Sequence, residues 1–205
     1  MFRTKEDIIK KYTCGRVLDV GFWGQGIPFS ADNHPHQLMR KYTNELFGID
    51  TEGDFSRLDP RRYRKQSAED FSFEERFDVI FALDLIEHLS NPGLFLKNCR
   101  KHLKPDGKLI LTTPNAYNLF SMAGKLTRKD PVVNRDHTLL LTPRLLNQLA
   151  NKCGLRIQSI DYLYSVGVYH KESWKKKVLN ILYRVLPQKF YEDFVAVLGT
   201  SRPDE

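Results

Sequence analysis

Cysteine is scarce in this chain of 205 residues, where Cys14, Cys99 and Cys153 lie far apart. They form neither a disulfide framework nor any of the paired spacings that bind zinc, so the thiols read as packed and reduced. No apolar run reaches the roughly 20 residues that span a bilayer. The opening residues Met1-Phe2-Arg3-Thr4-Lys5-Glu6-Asp7 carry acids where a secretory signal needs an apolar stretch. A cytoplasmic location is therefore expected. Internal repeats, low-complexity tracts and linker-like stretches are also missing, and at this length a single domain is expected.

Positive charge is in excess. Lys and Arg number 32 against 25 acids, a formal net charge of +7. Much of it sits in two stretches, Arg57 to Lys65 and Lys171 to Lys189. Both read first as solvated basic faces, compatible with nucleic acid, anionic lipid or a phosphorylated substrate. In the second stretch Trp174, Val178, Ile181, Leu182 and Val185 form one stripe opposite Lys175, Lys176, Asn180 and Arg184. This predicts a basic amphipathic helix near residues 171–186 that packs on the sheet, with peripheral contact to anionic membrane or capping of the acceptor pocket as its alternatives.

Thr4 to Tyr12 reads as a short helix capped by Thr4. Apolar runs suited to buried parallel strands follow at Arg16 to Val20, Leu46 to Ile49, Phe77 to Leu83 and Lys108 to Thr112, separated by segments long enough for crossover helices. One such helix is expected over Gly93 to Leu103, with Lys104-Pro105-Asp106-Gly107 ending it and starting a strand. A second is expected over Pro143 to Lys152, capped by Thr142, with Leu145, Leu146 and Leu149 facing inward. Strands at Leu155 to Leu163 and Phe190 to Gly199 complete an α/β alternation, and the tail Ser201 to Glu205 is expected to fray.

The chemistry concentrates at strand ends. Val17-Leu18-Asp19-Val20 runs into the turn Gly21-Phe22-Trp23-Gly24-Gln25-Gly26. Nicotinamide-binding domains also place a glycine-rich turn after a strand, but their Gly-x-Gly-x-x-Gly spacing differs. A carboxylate at Asp19 would repel a pyrophosphate and suits an ammonium group better. A second strand ends in Phe47-Gly48-Ile49-Asp50, where Asp50 can accept both hydroxyls of a ribose. A strand-capping acid is the plain alternative for either residue; the two together favour a nucleoside with a cationic tail.

In order along the chain stand Asp19-x-Gly21-x-x-Gly24-x-Gly26, Gly48-Ile49-Asp50, Ser67-Ala68-Glu69-Asp70, Phe77-Asp78-Val79-Ile80, Glu87-His88-Leu89, Leu103-Lys104-Pro105-Asp106-Gly107 and Thr113-Pro114-Asn115. This succession resembles class I S-adenosylmethionine-dependent methyltransferases, in particular the small-molecule branch that includes ubiquinone-biosynthesis O-methyltransferases. The resemblance covers roughly residues 14 to 160. It implies a Rossmann-like three-layer α/β sandwich whose seven-stranded sheet is mostly parallel with an antiparallel last strand. Residues 1–13 would then be an N-terminal helix, 14–114 the cofactor-binding half and 115–205 the acceptor-side half.

For the cofactor S-adenosylmethionine and its product S-adenosylhomocysteine, the resemblance implies contacts from Asp19, Gly21, Phe22, Trp23, Gly24 and Gly26 with the methionine portion. Asp50 would meet the ribose, with Thr51 next to it in the cofactor site, Ser67, Ala68 and Glu69 would meet the adenine edge, and Leu83 and Asp84 would close the pocket beside the methionine. Phe22-Trp23 looks like a one-residue expansion of the turn, and Ser67 stands where relatives often have Asp. One ring of Phe22 or Trp23 could face the sulfonium, with packing as the alternative.

His88 is the candidate general base for a hydroxyl acceptor, with capping or packing as its plain alternative. Asn115, Tyr117 and His137 would line the acceptor side, and the polar segment between Asn115 and Arg135 suits a lid. Asp84-Leu85-Ile86-Glu87-His88, with His137 as a distant partner, is similar to a divalent-ion pattern of some ubiquinone and small-RNA methyltransferases. Most such clusters hold no metal, and none is expected here. The expected function is O-methylation of a small molecule, sugar or lipid-linked precursor. The alternatives are an RNA methyltransferase, although no RNA-binding module accompanies the charge and nucleic acid is not an expected partner, and a silent cofactor-binding subunit. Base-amine methylation is disfavoured because Ala82-Leu83-Asp84-Leu85 replaces the Asn/Asp-Pro-Pro-aromatic sequence.

Overall fold

Seven strands form a single sheet in the order β3-β2-β1-β4-β5-β7-β6. The structure, a computed structural model, describes residues 2–119, 134–163 and 187–200. The expected basic helix near 171–186, most of the expected lid and the tail from 201 lie outside these residues. Strands β1 (Arg16–Val20), β2 (Glu45–Asp50), β3 (Tyr63–Lys65), β4 (Phe77–Leu83) and β5 (Leu103–Pro114) are mutually parallel. The last strand, β7 (Asp193–Thr200), runs antiparallel between β5 and β6 (Leu155–Leu163). This is the expected three-layer architecture.

Alternation along the strands builds a core on each face of the sheet. Val17 and Ile110 point into one, with Ile8 and Ile9 of α1 (Lys5–Tyr12) and Leu38 and Met39 of α2 (Pro35–Met39). Leu18, Leu109 and Leu111 point into the other, with Phe95, Leu96 and Cys99 of α3 (Pro92–His102) and Leu146 and Ala150 of α4 (Pro143–Lys152). Helix α1 starts with a reciprocal capping box: Asp7 N–H donates to the Thr4 hydroxyl while the Asp7 carboxylate accepts from Thr4 N–H. Thr142 caps α4 by accepting from Leu145 N–H.

Four expectations need correction. Leu145 is 50% exposed, because Leu146 and Ala150, with Leu149 packed beside them, bring α4 to the sheet. Residues Gln188–Phe190 form a 3-10 turn and the strand starts at Asp193, since it must pair with Pro114 at the end of β5. The Lys104-Pro105-Asp106-Gly107 stretch lies within β5, absorbed by a register shift opposite Phe77 and Val79. Cys14 is exposed rather than packed, because it lies in the connection between α1 and β1; the short elements α2 and β3 also went unforeseen.

Between β1 and β4 the chain's strand order reverses, and α/β sheets place ligands at the carboxyl ends of strands there.

Candidate active site

The carboxyl end of β1 enters its turn at Gly21, whose φ of 76° favours a residue without Cβ. Its N–H donates to Ile49 O at 2.9 Å, tying turn to β2. The next link is Trp23 N–H, which donates to Asp50 Oδ2 at 2.7 Å, while Oδ1 accepts from Glu52 N–H at 3.0 Å. Asp50 thus sits at the rim, half-buried, with lone pairs left over for further donors. Thr51 beside it is exposed. Gly24 faces open space and Gly26 takes a left-handed φ of 67°.

Two expected cofactor contacts turn inward instead. Asp19 is 2% exposed and its Oδ2 lies 2.9 Å from His36 Nδ1. His36 Nε2 lies 3.2 Å from the Tyr63 hydroxyl, which accepts from Arg40. Asp19 thus holds the strand end through His36, the partner that a buried carboxylate needs. Phe22 has no exposed surface. Its ring is enclosed by His36, Phe29, Phe55 and Tyr63, with centroids 4.9–5.7 Å away. Gly48 makes room for it, since a Cβ there would lie 2.8 Å from the ring. The extra residue of the turn is thus an anchor packed into the domain. Trp23 stays half-buried, stacked on Phe29 and Phe55 at 4.7 and 6.2 Å.

Over the end of β4, Asp84 adopts φ 51°, a conformation uncommon outside glycine. Its backbone N–H and one carboxylate oxygen are held by Thr112. The other oxygen pairs with Lys5 Nζ at 2.8 Å, an ion pair reaching in from α1. Beside it, Gln25 Nε2 donates to Gly21 O at 2.7 Å and Leu83 O at 3.3 Å. Leu83 itself is buried, as is Ala68, whereas Ser67 is exposed and its hydroxyl accepts from Glu69 N–H. Glu69 Oε1 accepts from Asn91 N–H at 2.8 Å, so this acid secures the start of α3.

The turn after β4 carries Glu87 and His88. Glu87 is 1% exposed, accepts from the Thr113 hydroxyl through Oε2 and leaves Oε1 without a partner among the described residues. Burial and the neighbouring Asp84 charge push its pKa up to about 8. His88 Nδ1 lies 3.2 Å from Asp136 O; with the proton on Nδ1 the Nε2 lone pair is free. Its ring meets that of His137 edge-on at 4.6 Å. Burial and the facing His88 hold His137 below its ordinary pKa. Thr138 fastens this segment down through its N–H to Glu87 O and its hydroxyl to Glu87 O and Leu89 O. Ligand atoms of Glu87, His88 and His137 all lie within 4.8 Å of one another.

Of the expected acceptor-side residues, His137 joins His88 and Tyr117 is 57% exposed. Asn115 is fully buried, its amide donating to Lys189 O and Tyr191 O, so it ties β5 to the segment before β7 and offers nothing to an acceptor. Lys5, Gln25 and His36 were missed. A hydrophobic pattern places Lys5 on a helix but cannot tell that the helix end overhangs β4.

Glu87 gives a pH signature. Its folded pKa of about 8 lies above its ordinary 4.5, so its contribution is full below pH 4.5 and is lost as pH rises through 8. In metal-free protein the urea midpoint is expected to fall between pH 6 and 9. Glu87→Gln should flatten that fall; an equal slope in the variant would refute the buried, protonated acid.

A family model described as a methyltransferase domain matches residues 12–160. The chain belongs to the methyltransferase-domain family. Among curated relatives, a ubiquinone biosynthesis O-methyltransferase of Coxiella burnetii is 35% identical over 96 residues, 44% of this chain and 41% of that protein. The chain thus spans less than half the length of the curated relatives it matches. Two solved structures share the fold of this methyltransferase-family chain. A SAM-dependent methyltransferase from Archaeoglobus fulgidus has a TM-score of 0.63 at 17% identity, covering 97% of this chain and 95% of that one. The Burkholderia thailandensis 1,6-didemethyltoxoflavin-N1-methyltransferase, with bound 1,6-didemethyltoxoflavin and S-adenosylhomocysteine, has a TM-score of 0.59 at 14% identity, covering 97% and 77%. Among the described residues no helix is long and apolar enough to cross a membrane.

Proposed function

We propose that the protein is an S-adenosylmethionine-dependent methyltransferase that methylates a hydroxyl of a small molecule, the whole chain working as one domain. The names of the curated relatives point to a phenolic precursor of the ubiquinone kind. The observation that carries the reading is the rim at the β1–β4 switch point. Asp50 lies beside an open glycine turn, and an opposed Lys5–Asp84 pair stands over β4. That is a diol acceptor next to one cation and one anion, the complement of a nucleoside bearing an amino-acid tail.

When bound, the cofactor supplies a methyl group already activated on a sulfonium, so no protein nucleophile is needed. Asp50 accepts the ribose hydroxyls, with Thr51, Ser67 and Ala68 N–H at the adenine side. Lys5 faces the tail carboxylate. Asp84 and the carbonyls of Gly21 and Leu83 take an ammonium in place of the Gln25 amide. Trp23 walls the turn from water. On the acceptor side, His88 Nε2 takes the proton of the hydroxyl, and His137 and Tyr117 line the approach.

The test is release of S-adenosylhomocysteine from the full chain with catechol-type phenols and with pooled small metabolites. Release with neither would refute the reading. Trp23→Leu is expected to weaken S-adenosylmethionine and the neutral S-adenosylhomocysteine alike, because its ring is spent on Phe29 and Phe55. A selective loss of the sulfonium in calorimetry would instead give the ring a charge-specific role.

A second reading is favoured by the convergence of Glu87, His88 and His137. A carboxylate and two imidazoles suit a divalent transition metal, and the buried Glu87 Oε1 has no hydrogen-bond partner among the described residues. Such an ion would lower the pKa of the acceptor hydroxyl. Equilibrium dialysis with Zn²⁺ or Mn²⁺ decides: retention in the wild type that is lost in His137→Ala supports it, and no retention removes it.

A further inference from the structure

At the end of the sheet opposite the candidate active site lies an open surface cavity of about 330 Å³ lined by the exposed side chains of Arg76, Lys97, Arg100 and Lys101. Arg76 comes from the segment entering β4, the other three from the last turns of α3, and Pro105 and Thr200 close the remaining side. Among the described residues, none of Arg76, Lys97, Arg100 and Lys101 makes an ion pair with a carboxylate.

Two of the four are held in place. Arg76 Nη1 donates to Leu103 O at 3.3 Å. The Arg100 side chain lies against Gly154, where a Cβ would come within 2.6 Å of its Nε. The charges are also felt locally, since Lys101 and Arg76 both act to lower the pKa of buried His102.

Positive charge at a helix C-terminus is favourable in itself, which accounts for Arg100 and Lys101. It does not account for Arg76, which is not on the helix, nor for the like-charged spacing of Lys97 and Lys101 at i and i+4, which costs free energy. An anion in the cavity would offset both. Two planar guanidinium forks and two ammonium groups match a phosphate or diphosphate, whose oxygens accept several charge-assisted bonds at once.

We propose that this cavity binds a phosphate-bearing anion through Arg76, Lys97, Arg100 and Lys101, apart from the methyl-transfer site. The phosphate belongs either to a soluble metabolite or to a lipid headgroup. Inorganic pyrophosphate, titrated calorimetrically into the full chain at constant ionic strength, is the probe. The wild type is expected to bind one equivalent, Arg76→Gln/Arg100→Gln at least ~30-fold more weakly, and both to bind S-adenosylmethionine equally. Equal pyrophosphate binding by wild type and variant, or wild-type binding no tighter than that of chloride, overturns the proposal. The chain's own acids Asp204 and Glu205 follow shortly after Thr200, so binding that appears only in Asp204→Asn/Glu205→Gln overturns it too. Co-sedimentation with phosphatidylcholine vesicles containing phosphatidylserine, competed by pyrophosphate, supports the headgroup source. Pyrophosphate binding without vesicle retention supports the soluble one.

Discussion

Replacing Asp50 by alanine is expected to weaken S-adenosylmethionine binding by about 1.5–3 kcal/mol, or roughly 10- to 150-fold in Kd. The carboxylate acts twice. It is the acceptor offered to the ribose hydroxyls, and it already fixes Trp23 N–H at 2.7 Å, so its loss also frees the turn that must close on the ligand. Because Asp50 is only half-buried, thermal stability should change little, which separates this effect from unfolding. Asp50→Asn keeps an acceptor for Trp23 and should fall between wild type and alanine. Calorimetry on the three proteins checks the order, and an alanine variant that binds like the wild type would move the ribose elsewhere.

His88→Ala is expected to lower turnover by about 10²–10⁴-fold, the usual contribution of a positioned general base, with cofactor affinity unaltered. Its Nδ1 is engaged by Asp136 O and its ring meets that of His137 edge-on, so Nε2 is the nitrogen left to accept a proton. The proton-transfer and metal readings diverge in one further measurement. If His88 is a base, His137→Ala retains most of the turnover and chelators have no effect. If the three side chains hold an ion, His88→Ala and His137→Ala fail together and a chelator mimics them. Near-wild-type turnover in His88→Ala would remove both roles.

Much of this layout was legible in the sequence because it rests on local patterning. Arg16–Val20, Phe77–Leu83 and Leu155–Leu163 are apolar runs with turn residues at their ends, and Thr142-Pro143 spells a helix start, so these elements fall where the pattern puts them. Asp50 likewise stands at its strand end beside the turn. What escaped depends on three-dimensional proximity. Asp19 looked like a ligand residue because it ends a strand beside glycines, but His36, on a five-residue helix too short to show periodicity, comes up beneath it. Phe22 looked like part of the binding surface until four rings gathered from residues 29 to 63 enclosed it. Asn115 stands in an acceptor-like position in sequence, but the carbonyls of Lys189 and Tyr191 consume its amide. The convergence of His137 on Glu87 and His88 is set by Thr138, whose three bonds to that turn leave no trace in hydrophobic spacing.

The central claim is that the rim formed by the Gly21–Gly26 turn, Asp50, Lys5 and Asp84 holds an adenosyl amino acid. Titration of S-adenosylhomocysteine into the full chain tests it without knowledge of the acceptor. About 26 non-hydrogen atoms at roughly −0.3 kcal/mol each correspond to a Kd in the micromolar range. The account predicts one equivalent bound at that strength, weakened in both Asp50→Ala and Lys5→Ala. No heat and no retention of the nucleoside at millimolar concentration would contradict it.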